Sequence, residues 1–343
     1  MTCNKLTLGG KMRMVMTSLW LSCLMASLQA QITNFASYQE SIHTAEQQLI
    51  GGDKAAALDT YYGVLQQSDG NFIKDVHNSL VLATELGRAD TFFVLLDLVI
   101  GKGLTNEYLG DQQHFRVHHT DPRWQRFLEK NEQALGMDNS LRDTLRQLEA
   151  ADQHFRVLPG SYSVYGDTIA FIDSINMNVI LDLVASDRFP GETVGGVSDV
   201  YGTQAADIVL HHYTQSTSLD AKKPKITSIL VDLVQQGKLM PNKCALWLGS
   251  QNDGLWLGGN WIFQLSVNGQ ISDPYVQTYT DPQQKIIDQN RKWLHMEPLA
   301  DYYKLVKYVI DHPDQPYTFD VQRTIVEADA KMLEEWNKKL NKL

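Results

Sequence analysis

Hydrophobic residues over 31–136 recur every three to four positions, which is the spacing of amphipathic helices. Two pairs of such helices are predicted, at 37–65 and at 72–100, with glycines marking the turns. Asp53 stands where it can cap the second helix of the first pair. A lone pair of helices cannot bury its apolar face, so the pattern predicts helical hairpins that stack as repeats.

A short polar stretch at 136–139 separates this half from a region of longer helices at 137–316. The helix predicted over 140–157 has one apolar stripe, which is typical of a helix that covers a core. The helices predicted over 168–189 and 203–213 are apolar on most sides. These two are therefore expected to be largely buried.

The pattern changes near 261–279, where apolar and polar residues alternate as they do in strands. An Asn-Gly pair at 268–269 is the favoured tight turn of a β-hairpin. The charged pattern of 317–343 predicts a C-terminal helix instead. The fold class predicted for the chain is mainly α, with N-terminal helical-hairpin repeats followed by a helical domain that carries one β-hairpin.

The N-terminal half resembles a known repeat family. GGDKAAALDTYYGVL at 51–65 is similar to the second helix of a tetratricopeptide repeat, and the stretch 77–104 resembles a full following repeat. In that stretch Ala83, Gly87 and Ala89 occupy the small-residue positions. The resemblance implies degenerate tetratricopeptide-like repeats that bind a protein or peptide partner on their surface.

The first thirty residues have the composition of a secretory signal. A positively charged start precedes the uncharged run Met14–Leu28, which is shorter than the ~20 residues that a membrane helix needs. We therefore expect a signal peptide at 1–30 that is removed near Gln31, which leaves an exported protein, periplasmic or secreted, with no stable membrane span. Cys23 offers a lipoprotein alternative, which is disfavoured because the apolar run continues past it.

The chain of 343 residues is acidic, with a formal net charge of −10, and it has no basic stripe. Phosphate backbones and anionic membrane surfaces would repel it, so nucleic acid is not an expected partner. Once the signal is removed, Cys244 is the remaining cysteine, which excludes an internal disulfide and a cysteine-based metal site. No motif identifies a cofactor, and no metal site is predicted. His114, His118 and His119 cluster without a carboxylate pattern of known spacing, so we interpret them as a polar loop.

Polar side chains interrupt three helices of the second domain. Asp152 and Arg156 are four residues apart, on one helix face, where they can pair. Asp173 and Asn176 lie on an otherwise apolar helix, where buried polar groups must find partners. We therefore predict a polar pocket formed by Asp152, Gln153, Arg156, Asp173, Asn176, His211 and His212.

The same residues, in order, resemble a bacterial domain family of unknown function. Its pattern has D-Q-x-x-R on one helix, D-x-x-N on the next and a histidine at the end of a third, followed by a strand pair, an arginine and P-L-x-x-Y. The resemblance covers about half of the chain and adds Gln264 and Arg291 as candidate binding residues. The chain lacks the family's Asp-Arg pair before the hairpin, and Gln264 is all that it keeps of a Y-G-T-Q element.

Two functions remain open. The first is an exported binding or interaction protein whose polar pocket takes a ligand. The alternative is a hydrolase-type enzyme, with or without a metal, whose catalytic candidates are Asp152, Asp173 and His211, the histidine acting as a general base oriented by a carboxylate. No G-x-S-x-G or H-E-x-x-H motif identifies a reaction. An open cleft around these side chains would favour the enzyme, and a sealed cluster would favour a structural role.

Overall fold

A computed structural model gives the architecture of most of the chain. It describes residues 35–68, 70–136, 140–219, 225–251, 257–258, 262–267, 270–271, 275–276, 279–321, 323–327, 334 and 341–342. The signal peptide predicted at 1–30 and the Asn-Gly turn predicted at 268–269 lie outside these residues. The described chain is mainly helical, as the hydrophobic pattern predicted.

The first half consists of short helices joined by tight turns. Asp53 caps the second of them, because its side chain accepts a hydrogen bond from the Ala56 amide at 3.0 Å. Gly52 and Gly87 occupy left-handed backbone conformations at the turns. The helices are α1 over 35–50, α2 Lys54–Leu65, α3 Ile73–Glu85, α4 Ala89–Leu96, α5 Asn106–Asp111 and α6 Pro122–Gly136, with 3-10 turns at Asp97–Val99 and Gln113–His118.

The second half is built around α7, α8 and α10, which pack on one another. A capping box at Thr280 and Gln283 starts one of the later helices. The helices are α7 Ser140–His154, α8 Ser161–Ala185, α9 Glu192–Gly195, α10 Ala205–Leu219, α11 Thr227–Gln235, α12 Pro241–Gln251, α13 Asp281–Trp293 and α14 Leu299–Asp311.

Five short strands form one sheet: β1 Ile262–Val267, β2 Gln270–Ile271, β3 Tyr275–Val276, β4 Arg323–Glu327 and β5 Asn341–Lys342. β1 is antiparallel to β2 and β3 and parallel to β4. β4 corrects the helix predicted over 317–343. The β-branched run Thr-Ile-Val at its centre favours a strand, and pairing with β1 satisfies its backbone groups.

A large hydrophobic cluster runs through both halves, from Phe35 through Leu80 and Leu210 to Phe319, and a smaller one joins α13 to α14. One described helix, α8, is long and apolar enough to cross a membrane by length and composition, with a mean hydropathy of 1.5. It packs on α7 and α10 and carries the buried carboxylate of Asp173. The expectation that this helix is largely buried is wrong, because 28% of its most apolar stretch is buried, and Phe171 and Ile175 are exposed.

Candidate functional site

Four of the predicted polar side chains meet where α7, α8 and α10 pack together. Asp152, in the last turn of α7, places its Oδ2 atom 2.7 Å from Nδ1 of His212 on α10. Arg156 reaches two carboxylates: Nη1 lies 3.1 Å from Asp152 Oδ1, and Nη2 donates to Asp173 Oδ1 at 2.7 Å. We call these four side chains the three-helix network.

The position of Arg156 follows from the local sequence. It lies four residues after Asp152, so both side chains leave the same face of the chain. Its Nη1 also donates to the Asp152 carbonyl oxygen at 2.6 Å, and its Nε donates to the Tyr162 hydroxyl at 3.0 Å. Because a guanidinium holds its donors in one plane and in fixed directions, this single side chain can join α7 to α8.

The three-helix network is nearly sealed from solvent. Asp152 is 1% exposed and Asp173 is 4% exposed. Asn176, also buried, donates from Nδ2 to the Leu148 carbonyl at 3.1 Å. Cavities of about 1030, 340, 180 and 20 Å³ open elsewhere, and none of these four is lined by the network. The arrangement therefore fits a clamp between helices better than an open pocket.

Gln153 and His211 lie at the edge of the network. Gln153 donates from Nε2 to Asp152 Oδ2 at 2.8 Å. His211 and its neighbour His212 point about 100° apart around the helix axis, and the Nε2 atom of His211 lies 2.9 Å from the Gln215 amide nitrogen. Burial, together with the charge of a protonated His212, lowers the pKa of His211 below its usual value.

Arg291 belongs to a different buried cluster. Its Nε donates to the Glu297 carbonyl oxygen at 2.6 Å, and its Nη2 lies 3.1 Å from Glu297 Oε1. The guanidinium also lies over the Tyr302 ring, 4.9 Å from its centroid. Gln264 is buried in β1. The contacts of Arg291 therefore place it outside the three-helix network.

Two of the three clustered histidines pack against aromatic rings. His118 stacks on Phe92 with 3.7 Å between ring centroids, and its Nε2 lies 2.9 Å from the Thr84 hydroxyl. His119 stacks on Trp124 at 4.4 Å. Within the described ranges, no group of three His, Cys, Asp or Glu side chains is placed to hold a metal ion.

Helix α3 carries a polar face that the sequence pattern did not single out as a site. Lys74, Asp75, His77 and Asn78 are all buried, although they occupy the first two turns of the helix. The sequence signal for this polar face is a run of polar residues on a helix that is otherwise apolar and is flanked by apolar helices. Buried polar groups of this kind require partners.

The partner of this face is a stretch without helix or strand from the other end of the chain, Pro316–Asp320, which we call the clamped segment. Asn78 pairs with both main-chain groups of Thr318: Nδ2 donates to the carbonyl at 2.8 Å, and Oδ1 accepts from the amide at 2.7 Å. His77 Nε2 lies 3.1 Å from the Pro316 carbonyl oxygen. Burial lowers the pKa of His77 to about 4, so the ring is neutral at pH 7.

The side chains of the clamped segment are also held. The Tyr317 hydroxyl donates to Glu85 at the end of α3. Tyr317 and Phe319 are both buried, and the Phe319 ring packs edge-on against Tyr308 at 5.9 Å. Asp320 lies 3.3 Å from the Lys74 ammonium group. Main-chain and side-chain contacts therefore alternate from Pro316 to Phe319, and the Asp320 side chain adds an ionic contact.

Lys74 is the centre of a buried ionic cluster. Its ammonium group lies 2.9 Å from Glu46 and 3.0 Å from Asp75. The Tyr38 hydroxyl donates to the other oxygen of Asp75 at 2.5 Å. Burial raises the pKa of Glu46 to about 7, although Lys74 opposes that shift. Burial disfavours the charge of Lys74, but Asp75 and Glu46 outweigh it and raise the pKa of Lys74 above its usual value.

Glu192 supports the start of α3 from the second half of the chain. Its Oε2 atom accepts from the Ile73 amide at 2.7 Å, which satisfies one of the free donors at the helix N-terminus. Lys102 lies 3.9 Å from the same oxygen. Burial raises the pKa of Glu192 to about 7, against the pull of Lys102.

The chain matches no protein-family profile, no curated protein and no solved structure. Its function therefore has to be inferred from the chemistry of its own side chains.

Proposed function

We propose that this chain is a binding protein that holds extended peptides against α3, and that the clamped segment occupies this site in the free protein. The observation that carries the proposal is the double hydrogen bond between Asn78 and the main chain of Thr318. An amide side chain that pairs with both groups of one residue recognises extended backbone whatever side chain that residue carries.

The neighbouring contacts add selectivity to this backbone recognition. Tyr317 and Phe319 fill apolar places on either side of Thr318, and aromatic side chains contribute much of the affinity at interfaces. Lys74 supplies a positive charge for the acidic residue that follows. A ligand of this site would therefore have two aromatic residues at alternate positions and then a carboxylate.

The predicted tetratricopeptide-like stacking is part of this proposal. In support, α2 packs on α3 and α3 packs on α4, with left-handed glycines at the turns. Stacked helical hairpins present concave faces that suit extended peptides. The hairpin predicted near 261–279, the signal peptide at 1–30 and export of the mature chain are kept as further parts of the proposal.

The test uses a fluorescent peptide with the sequence of residues 314–321, DQPYTFDV, and the full-length double variant Tyr317→Ser/Phe319→Ser. Loosening the clamped segment should let the peptide bind with a Kd on the order of 10–100 μM, since ordering an extended peptide costs conformational entropy. The wild-type protein, whose site is filled, should bind it far more weakly. Fluorescence anisotropy measures both.

Adding Asn78→Ala to the double variant should weaken binding about thirtyfold, because two hydrogen bonds of roughly 1 kcal/mol each are lost. A scrambled peptide is the matched control. If the double variant is folded by circular dichroism yet takes up no peptide, the site is a fixed internal contact and not a binding surface. The single variant Phe319→Ser serves in the same way if the double variant does not fold.

A hydrolase-type function at the three-helix network is a second candidate, favoured by one distance. The 2.7 Å contact between Asp152 and Nδ1 of His212 is the geometry of a histidine base oriented by a carboxylate, and it leaves Nε2 for a substrate. Against it stands the burial of the network. Hydrolysis of a panel of ester and peptide substrates by wild type, but not by His212→Gln, would support it; equal rates for both proteins would exclude it.

A further inference from the structure

A broad groove runs between α1 on one side and α13 with the start of α14 on the other. Its volume is about 1030 Å³, and a second cavity of about 20 Å³ lies at its floor. Gln39, His43 and Met296 line both spaces, so they form the passage between them. Neither space belongs to the three-helix network or requires the clamped segment to leave α3.

The lining of the groove and its floor is strongly acidic. The lining charges are contacted from behind by Asp75, Arg291 and Lys304. When these three residues are counted together with the lining residues and every carboxyl group is ionised, negative charges exceed positive charges by three. His43 and His295 do not offset this excess, because burial lowers the pKa of each ring. The charged lining residues are Glu40, Glu46, Asp288, Glu297, Asp301 and Asp320, against Lys74 and Lys292.

A separate observation marks where a ligand would be held. Gln39 is 7% exposed and lines both spaces, yet its amide makes no hydrogen bond to any residue in the described ranges. The amide of Gln39 is therefore available to a polar group that enters the passage. His43 lies beside it, with Nε2 at 3.4 Å from Glu297 Oε2.

The groove also offers apolar contact next to these polar groups. Ala36, Met296 and Pro298 line it. A cavity of about 20 Å³ has room for a group of the size of one water molecule, and no more. A ligand that fits both spaces would carry a small charged head for the floor and a flexible hydrocarbon stem for the groove.

We propose that the groove binds a primary alkylammonium group, with the charged head between Gln39, His43 and Glu297 and the methylene chain along Met296. Clefts lined by one sign of charge concentrate ions of the opposite sign. An ammonium group donates three hydrogen bonds, which the Gln39 amide oxygen, the Glu297 carboxylate and an unprotonated nitrogen of His43 can accept. Free diamines and the lysine side chain of a peptide share this chemistry.

Isothermal titration calorimetry on the full-length protein tests the proposal with cadaverine, spermidine and the peptide acetyl-Gly-Lys-Gly-amide. Cadaverine should bind and 1,5-pentanediol, its uncharged counterpart, should not. Binding of the free amines without the peptide identifies a small-molecule site, and binding of all three identifies a site for lysine side chains. Absence of heat for every amine at millimolar concentration overturns the proposal.

Two variants localise the binding. Gln39→Leu should weaken cadaverine at least about tenfold, because the ammonium loses an acceptor in a buried place. Gln133→Leu, on the exposed side of α6, is the matched control and should leave the affinity unchanged. Glu40→Gln, at the exposed rim, cannot disturb the core and should weaken binding about twofold in low salt. Unaltered affinity in both Gln39→Leu and Glu40→Gln would place the amine elsewhere and refute the site.

Discussion

Two buried polar clusters, the three-helix network and the polar face of α3, contain the same kinds of side chain but connect the chain differently. The three-helix network joins helices that lie within about 60 residues of one another, with Asp152 and His212 at its ends. The α3 face joins residues about 240 positions apart, as in the pair of Asn78 and Thr318. The first is closed by its own helices, whereas the second is completed by the clamped segment and borders cavities.

This difference separates a scaffold from a recognition surface. The charges of the three-helix network are paired with one another inside the protein, which suits a scaffold. A cluster that is satisfied by main-chain groups of an extended segment can accept the same groups from another peptide. The two clusters should therefore respond differently when single side chains are removed.

The largest effect is expected at the centre of the three-helix network. Asp152→Ala leaves the buried guanidinium of Arg156 and the ring of His212 without their shared carboxylate. Breaking one partner of a buried ion pair costs about 3–5 kcal/mol of unfolding free energy. Urea unfolding followed by circular dichroism measures the loss.

Asp143→Ala is the matched control for that variant, because it removes an exposed ion pair on the same helix. The Asp143 carboxylate lies 2.8 Å from Arg146, and both side chains are more than half exposed. Exposed pairs contribute about 0–1 kcal/mol, so this change should be nearly silent. Equal losses in the two variants would contradict the structural role of the network.

A smaller loss is expected for Asn78→Ala on α3. The variant leaves the buried main-chain groups of Thr318 without partners, which costs about 1–3 kcal/mol. The clamped segment should also loosen, so proteolysis at the exposed residues 311–314 should accelerate. Asn178→Ala, on an exposed face of α8, is the control. Stability loss without faster proteolysis would indicate that the segment does not open.

The pH dependence of stability should sharpen the comparison further. The folded-state pKa of Glu192 is about 7, above its unfolded value near 4.5, so the folded state holds an extra proton between these values. Ionisation at Glu192 therefore removes stability as the pH rises from about 4.5 to 7. Because glutamine cannot ionise, the unfolding free energy of Glu192→Gln should rise relative to that of the wild type over this window, by on the order of 1–2 kcal/mol. A constant difference across the window would contradict the raised pKa.

Local sequence patterns anticipated much of the helical half of the fold. The Asp53 cap and the glycine turns follow from side-chain chemistry within a few residues. The pairing of Asp152 with Arg156 follows from helix periodicity, and its extension to Asp173 and His212 agrees with the expectation that buried polar groups seek partners. Periodicity could not show that these partners close on one another and exclude solvent.

The prediction of a helix over 317–343 was wrong for a related reason. The residues of β4 have a charged residue at each end and β-branched residues between them, so they are compatible with more than one conformation. Pairing with β1, about 60 residues earlier, decides for a strand. The polar start of α3 was likewise ambiguous, since Lys74, Asp75 and Asn78 also suit the exposed face of an ordinary helix.

The amino-acid sequence by itself determined that most of the described chain is helical and where Asp53 caps a helix, because helix hydrogen bonds and caps involve neighbours along the chain. It did not fix the helix ends: α8 begins at Ser161 and not at 168, and α10 extends to Leu219 and not to 213. The tertiary structure alone decided which polar side chains are sealed and which border open space. Burial and long-range partners depend on how distant segments pack, and no local pattern contains that information. Whether Lys74 meets water or Asp320 is settled by a segment almost 250 residues away.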